Sequence, residues 1–330
     1  MSLATRLRPA RGAAIAVLIY LVMYLVYAIS EASATSVFAI TNLLDNTIVL
    51  AIAAAGLTLV VLTGEFDLSG IGVIAIANVV VATTSVGILG WFGALVAVVL
   101  IGAAVGLING WLVVGLGLQS LAVTIGTMIA CEGVALVILA APGGEVSDTV
   151  ANGLTGDIAD VVPVAAVIIV GVLMLWFVFA RTRLGIAIYA VGSDENAAGL
   201  SGLNVRRTKL LTFVLAGAAY GCAGYLLSAQ TGSGDPRASN TFLLFMYAAV
   251  AIGGTSLAGG RGGVFGSVVG AGILTVMQKM LFALGAASFY TSVFSGIIML
   301  VALFVGNLSV LRLRRRRRGG AEWQSATPRP

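Results

Sequence analysis

Long apolar stretches separated by short polar segments run through almost the whole sequence. A membrane-spanning helix needs about 20 apolar residues, with a range of about 17–25. Stretches of this kind predict about ten spans, at residues 13–29, 47–63, 70–86, 91–114, 119–140, 161–179, 209–229, 243–258, 264–286 and 289–309. The expected fold is therefore an all-α polytopic membrane protein, with a segment 1–12 before the spans and a basic tail over 310–330.

Two of the apolar stretches are interrupted by glycine-rich polar segments. The first, called break 1, runs from Thr63 to Gly70, and the second, break 2, runs from Gly253 to Gly263. Backbone groups freed by such breaks must be buried in protein or line a wet cavity, and paired broken segments indicate a transport pathway. The residues predicted to belong to this pathway are Thr63, Asp67, Ser69, Asn109, Thr124, Glu132, Gly253 and Gly254.

Polar residues inside apolar helices are the next candidates, because ionisable groups in a membrane are expensive and usually functional. Asp67 either caps the helix that follows break 1 or contacts the transported molecule. Glu132 lies in the middle of a span and must be paired, protonated or facing a cavity. Lys279 is its candidate partner, or else extends to the outer surface. Asn78 and Asn109 are expected to form hydrogen bonds between helices.

The distribution of charge predicts how the chain is oriented in the membrane. The chain has 18 Lys and Arg against 13 Asp and Glu, and the basic residues cluster beside the spans. Because basic loops stay in the cytoplasm, the segments Arg6–Arg11, Arg181–Lys209 and Arg312–Arg318 are predicted to lie there, together with both termini. Basic residues directly after a span favour contact with anionic membrane lipid over binding of nucleic acid.

The basic loop from Arg181 to Lys209 is too long for a minimal connection between helices. Ser193 or Asp194 can cap a short helix there, Glu195 suits its positive end, and Gly202 is expected to end it. Its predicted apolar face consists of Ala197, Ala198, Leu200 and Leu203. Such a helix suits docking into a groove of a soluble partner, and the alternative is a connector lying on lipid.

Residues that carry catalytic or metal chemistry are scarce. The sequence has no His, which removes the commonest general base and metal ligand. Cys131 and Cys222 form no metal-ligand spacing, and no Gly-x-x-x-x-Gly-Lys-Ser/Thr loop for ATP occurs. We therefore expect no enzymatic activity, no metal site and no cofactor bound by this chain.

Four motifs occur in order between about residues 40 and 306. The first is Gly56-Leu-Thr-Leu with Thr63-Gly64 and Asp67-Leu-Ser69, and the second is Gly106–Gly110 followed by Val123–Thr127. The third lies in the basic loop and consists of Thr182, Gly185, Tyr189, Ala190, Gly192, Ala197, Ala198, Ser201 and Gly202. The fourth is Ala248–Gly263. In this combination the chain resembles the ribose-type permeases of ABC importers, in the same superfamily as the branched-chain amino-acid permeases.

The resemblance implies a permease domain over 13–309 with a coupling loop at 180–208. It implies import of a monosaccharide or related small polar solute across the bacterial inner membrane by ATP-driven alternating access. The implied partners are ABC ATPase subunits that bind the ATP, a periplasmic or lipid-anchored solute-binding protein, and a second permease copy or paralogue. The residues that match the family's ATPase-contacting segment are Asp194, Glu195, Asn196, Ala197, Ala198, Leu200 and Gly202.

Two alternatives remain beside this interpretation. The cargo could be a nucleoside instead of a sugar, or the chain could be an ion-coupled secondary transporter with Asp67 or Glu132 as its coupling carboxylate. The sequence also departs from the family pattern, since members often carry Gly where Glu65 stands and Asn where Asp194 stands. Such departures fit one member of a non-identical permease pair.

Overall fold

The structure is a computed structural model that describes residues 8–285 except 88, 160 and 241, and then 290, 293–294 and 296–297. The helices are α1 (Arg8–Ser30), α2 (Val37–Leu62), α3 (Gly70–Thr84), α4 (Gly90–Gly110, continued by a π-helical turn at Trp111–Gly115), α5 (Ser120–Ile138), α6 (Asp148–Leu154), α7 (Val164–Phe179), α8 (Arg183–Ser193), α9 (Glu195–Leu200), α10 (Val205–Thr231), α11 (Phe242–Ile252) and α12 (Val264–Ala283). Strands β1 (Asp157–Ile158) and β2 (Val162–Pro163) pair antiparallel, with Ile158 opposite Val162.

The all-α polytopic class is confirmed, but the number of ten spans is not. In the described part of the chain, six helices are long and apolar enough to cross a membrane, and the pair α7 and α8, bent by 77°, brings the number to seven. Helices α3 and α11 fall in predicted spans but have only 15 and 11 residues, because break 1 and break 2 interrupt the apolar stretches beside them. The predicted tenth span, 289–309, and the tail 310–330 lie almost entirely outside the described residues.

Burial divides the helices into an inner and an outer set. Helices α2, α3, α10 and α12 are buried over most of their length, whereas α7 buries only Ala165 among its described residues. The outer helices α1, α4, α5 and α7 expose large apolar side chains such as Leu25, Leu100, Val137 and Leu175. This arrangement is stable where the surrounding solvent is lipid, because lipid tails are as apolar as these side chains.

Helices α4 and α10 touch through their backbones at paired glycines. A Cβ added to Gly102 would lie 2.1 Å from the carbonyl oxygen of Gly217, and one added to Gly217 would lie 2.0 Å from that of Gly102. Gly106 and Gly221 make the same kind of approach one turn away on either side. Small residues four apart allow this contact in membrane helices, where packing rather than the hydrophobic effect holds helices together.

The two ends of the helix bundle carry opposite charge. One end, the basic face, contains break 1, break 2, α8, α9 and the start of α10, with exposed arginines at 181, 183, 206, 207 and 261. The other end, the acidic face, contains the segment 141–163 and residues Asp45, Glu145, Asp148, Asp157 and Asp235. Helix α2 connects the two ends, and its 26 residues rise about 39 Å. The basic loop 181–209 and the acidic residues thus lie at opposite ends of the bundle.

The glycine contact between α4 and α10 gives a first test. We expect Gly217→Ala to lower the melting temperature of the purified protein, since the added methyl overlaps a backbone oxygen and overpacking costs about 1–3 kcal/mol. Gly126→Ala on α5 is the matched control, because no atom lies within 4 Å of its added Cβ; there Ala should be neutral or stabilising as the better helix former. Equal melting temperatures for the two variants in detergent would contradict the contact.

Candidate functional site

Break 1, break 2 and α8 meet at one junction on the basic face. The carbonyl of Leu62, left without a partner where α2 ends, accepts a hydrogen bond from the backbone N–H of Gly260 in break 2 at 2.9 Å. Gly192 of α8 lies so close to this carbonyl that an added Cβ would be 1.7 Å from its oxygen. The Tyr189 hydroxyl donates to the carbonyl of Gly262 at 2.7 Å. Helix α8 therefore contacts break 2 directly, and it contacts the end of α2 from which break 1 begins.

Asp67 anchors break 1 through a chain of buried hydrogen bonds. Its Oδ1 accepts from the backbone N–H of Ser69 at 2.9 Å and from the Ser69 hydroxyl at 2.6 Å. The Ser69 hydroxyl oxygen accepts from Nδ2 of Asn109 on α4 at 2.8 Å. Oδ1 of Asn109 accepts from the Thr127 hydroxyl on α5 at 2.6 Å. The chain ties break 1 to two neighbouring helices, so the predicted interhelical role of Asn109 is confirmed.

Backbone groups of break 1 are also held by side chains from other helices. The N–H of Asp67 donates to the Tyr247 hydroxyl at 3.2 Å, and that hydroxyl donates to the Asp67 carbonyl at 3.3 Å. The N–H of Phe66 donates to the Ser120 hydroxyl at 3.3 Å. Tyr247 and Ser120 were not among the candidate residues predicted from the sequence, and Thr127 was noted only as part of a motif. Each of these residues places a hydroxyl group in or beside an apolar stretch, but the sequence does not indicate which group that hydroxyl bonds to.

These contacts favour structural support over cargo contact for three of the predicted pathway residues. Asp67, Ser69 and Asn109 are 2%, 1% and 0% exposed, so a solute could not reach them in this conformation. The Asp67 carboxylate bonds to Ser69, and Ser69 rather than Asp67 occupies the capping position of α3, so Asp67 supports the start of the helix without capping it.

The other predicted pathway residues do not join this network. The hydroxyls of Thr63 and Thr124 bond within their own helical turns, to the carbonyls of Val60 at 2.7 Å and Ser120 at 2.9 Å. Two more are packing positions: Gly253 lies against the backbone of Gly266, and Gly254 lies against that of Gly12. Close backbone packing therefore accounts for Gly253, and Gly254 in addition adopts a left-handed φ of 81° that favours glycine.

Glu132 and Lys279 are not brought together. Lys279 donates to Oδ1 of Asn42, near the acidic face, whereas Glu132 lies half-buried on α5. Neither residue takes part in an ion pair within the described ranges. The candidate pairing is wrong because the two helices do not pack against each other there, a relation that span order alone does not reveal.

Helix α9 forms where the sequence predicts a short capped helix. Oδ1 of Asp194 accepts from the N–H of Ala197 at 3.0 Å, so Asp194 is the cap. Gly202 has a φ of 83°, and two bonds close the turn: Gly202 N–H to the carbonyl of Gly199 at 3.0 Å, and Leu203 N–H to that of Ala198 at 3.2 Å. This is a Schellman ending, which needs the left-handed conformation that Gly adopts readily.

The predicted apolar face of α9 is divided between two sides. Ala198 is only 5% exposed and faces the chain itself, whereas Leu200 is 92% exposed. Asn196 and Ala197 are exposed beside Leu200. The expectation that Ala198 and Leu200 share a docking surface is therefore wrong: Ala198 seats the helix, and Leu200 projects outward.

Lys209, at the start of α10, joins α9 to break 1. Its Nζ lies 2.8 Å from Oε1 of Glu65 and 2.7 Å from Oε2 of Glu195. The Lys209 and Glu65 side chains are 10% and 18% exposed, and that of Glu195 is 56% exposed. In the sequence, Lys209 was assigned no role beyond the end of the basic loop. Its position within the first turns of an apolar helix was the feature that could have indicated a buried ion pair.

Known proteins similar to this chain are transport permeases. The family model described as branched-chain amino acid transport system / permease component matches residues 39–303. The ribose import permease protein RbsC of Escherichia coli (strain K12) is 35% identical over 272 residues, which cover 81% of this chain and 84% of the relative. The D-allose transport system permease protein AlsC of the same strain is 33% identical over 272 residues, with 82% and 83% covered.

A third relative, the xylose transport system permease protein XylH of Escherichia coli (strain K12), is 28% identical over 337 residues, with 83% of this chain and 86% of the relative covered. No solved structure matches the chain. The matched range includes both breaks, α8, α9 and Lys209. The chain therefore belongs to the branched-chain amino-acid and sugar permease family of ABC importers, and it is a non-catalytic, multi-pass membrane subunit of that family.

Proposed function

We propose that this chain imports a monosaccharide or a related small polar solute across the bacterial inner membrane, powered by ATPase subunits that dock on α9. The cargo class is supported by the relatives, whose names state ribose, D-allose and xylose transport. The observation that carries the docking site is the exposed Leu200 at the tip of a capped helix, which directly follows α8 and its contacts with break 2 and the end of α2.

The basic face is the cytoplasmic side in this proposal, because arginine-rich loops remain in the cytoplasm. ATPase subunits approach from that side, and a solute-binding protein delivers the solute at the acidic face. A second permease copy or paralogue completes the transporter. Glu132 is then assigned to the surface facing the translocation route, since a half-buried carboxylate against lipid would cost about 2.5–3.5 kcal/mol at the centre of a span.

Alternating access requires that α9 and the breaks move together. The backbone of α8 lies against Leu62 at Gly192 and against Gly260 at Ser193, so a displacement of α8 and α9 would reposition break 2 and the end of α2 that leads into break 1. The permease itself supplies two conformations that pack differently. A bound partner such as the ATPase shifts the equilibrium between them only through its different affinity for the two conformations.

The docking site predicts a specific loss of ATPase binding. Leu200→Asp should reduce co-purification of the ATPase about tenfold or more, since central apolar anchors of an interface contribute about 2 kcal/mol or more, while membrane insertion and melting temperature stay unchanged. Ile158→Asp is the matched control: it places the same charge at an exposed apolar position, 53% exposed, on the acidic face. Ala198→Asp should instead lower the melting temperature. Normal ATPase recovery with Leu200→Asp would refute docking at α9.

The cargo class and energy source can be measured together. Proteoliposomes with the ATPase side facing the lumen and the binding protein outside should accumulate labelled ribose, allose or xylose only when ATP is enclosed in the lumen, and excess unlabelled monosaccharide should compete. Competition by nucleosides but not by monosaccharides would identify the cargo as a nucleoside. Uptake that an uncoupler abolishes at constant ATP would establish ion coupling and overturn the proposal.

A further inference from the structure

Lys209 forms the ion pairs found within the described ranges, and it forms two at once. An ammonium group has three N–H donors, so one lysine can hold a carboxylate on either side. Glu65 comes from break 1 and Glu195 from the first turn of α9, so the two acids are separated by 130 positions in the chain but share one cation. We call Glu65, Lys209 and Glu195 the charge bridge.

The burial of the charge bridge makes its partners interdependent. The Lys209 side chain is 10% exposed, and removing one member of a buried ion pair leaves an uncompensated charge, which is strongly unfavourable. Movement of Glu195 away from Lys209 would leave the lysine with Glu65 alone. The ammonium therefore favours arrangements in which α9 and break 1 keep a fixed separation.

The position of Glu65 extends the bridge into the core. Glu65 lies two residues before Asp67, whose hydrogen bonds reach α4 through Ser69 and Asn109. Lys209 itself is on α10, which packs against α4 through the glycine contacts. A side-chain path thus runs from α9 into break 1, separate from the backbone contacts made by α8.

We propose that Lys209 is a positioning residue that makes break 1 follow the movement of α9, through its simultaneous pairs with Glu195 and Glu65. This inference rests on the proposed function, in which an ATPase moves α9. Glu195 is the half-exposed end of the bridge and Glu65 the buried end. The bridge transmits displacement, and the exposed Leu200 supplies the docking contact, so the two roles belong to different side chains.

The separation of roles leads to the test. In proteoliposomes, Glu65→Gln and Lys209→Met should lower the number of solute molecules imported per ATP hydrolysed by about fivefold or more, the lower end of typical coupling between sites. ATPase co-purification should remain at the wild-type level. Lys209→Arg, which keeps the cation, should retain most of the coupling. Arg207→Gln is the matched control, because it removes an exposed positive charge two residues away.

Glu195→Gln keeps the test decisive if Lys209→Met fails to fold, because Glu195 is the most exposed member of the bridge. It should lower the number of solute molecules imported per ATP hydrolysed, a ratio that is independent of how much ATPase remains bound to α9. Wild-type coupling in both Glu65→Gln and Glu195→Gln would overturn the inference, and so would a loss of import that merely follows a loss of ATPase binding. Failure of the wild-type chain to bind any ATPase would instead refute the proposed function, and the inference with it.

Discussion

In a membrane, a backbone amide or carbonyl released from a helix has no water to bind and must find a partner in the protein. Break 1 shows how strongly this constraint organises the chain. Two of its amides bond to Ser120 of α5 and Tyr247 of α11, and the last α2 carbonyl before it, that of Leu62, bonds to Gly260 of break 2. Local bonds satisfy the first amides of break 1, whereas Phe66 and Asp67 depend on segments far away in sequence, so the position of break 1 is coupled to the helices around it.

Glycine provides the second condition for this arrangement. The backbone of Gly102 touches that of Gly217, and the backbone of Gly192 touches that of Leu62. A side chain at any of these glycines would keep the two backbones apart. The first contact holds a lipid-facing helix to the core, and the second seats α8 against the end of α2. Polar groups then specify which surfaces meet, since the hydrophobic effect gives little preference between apolar helices and lipid.

Sequence patterns were sufficient for local features and insufficient for pairings between distant segments. Hydropathy located the apolar helices, and the spacing from Asp194 to Gly202 predicted a capped helix with its ending, because these depend on neighbouring residues. The number of spans was not settled, because breaks shorten α3 and α11. The pairing of Lys279 with Asn42 and of Lys209 with Glu65 depends on how helices pack, which hydropathy does not encode.

Leu200 has a consequence for how the transporter is assembled in the cell. A leucine side chain that is 92% exposed at an aqueous boundary forgoes about 1.5–3 kcal/mol of burial. Under the proposed docking, the unassembled permease carries this unfavourable exposure, and covering of Leu200 by an ATPase subunit recovers the free energy of burial. The proposed anchor would thus make assembly itself a source of stability for the permease.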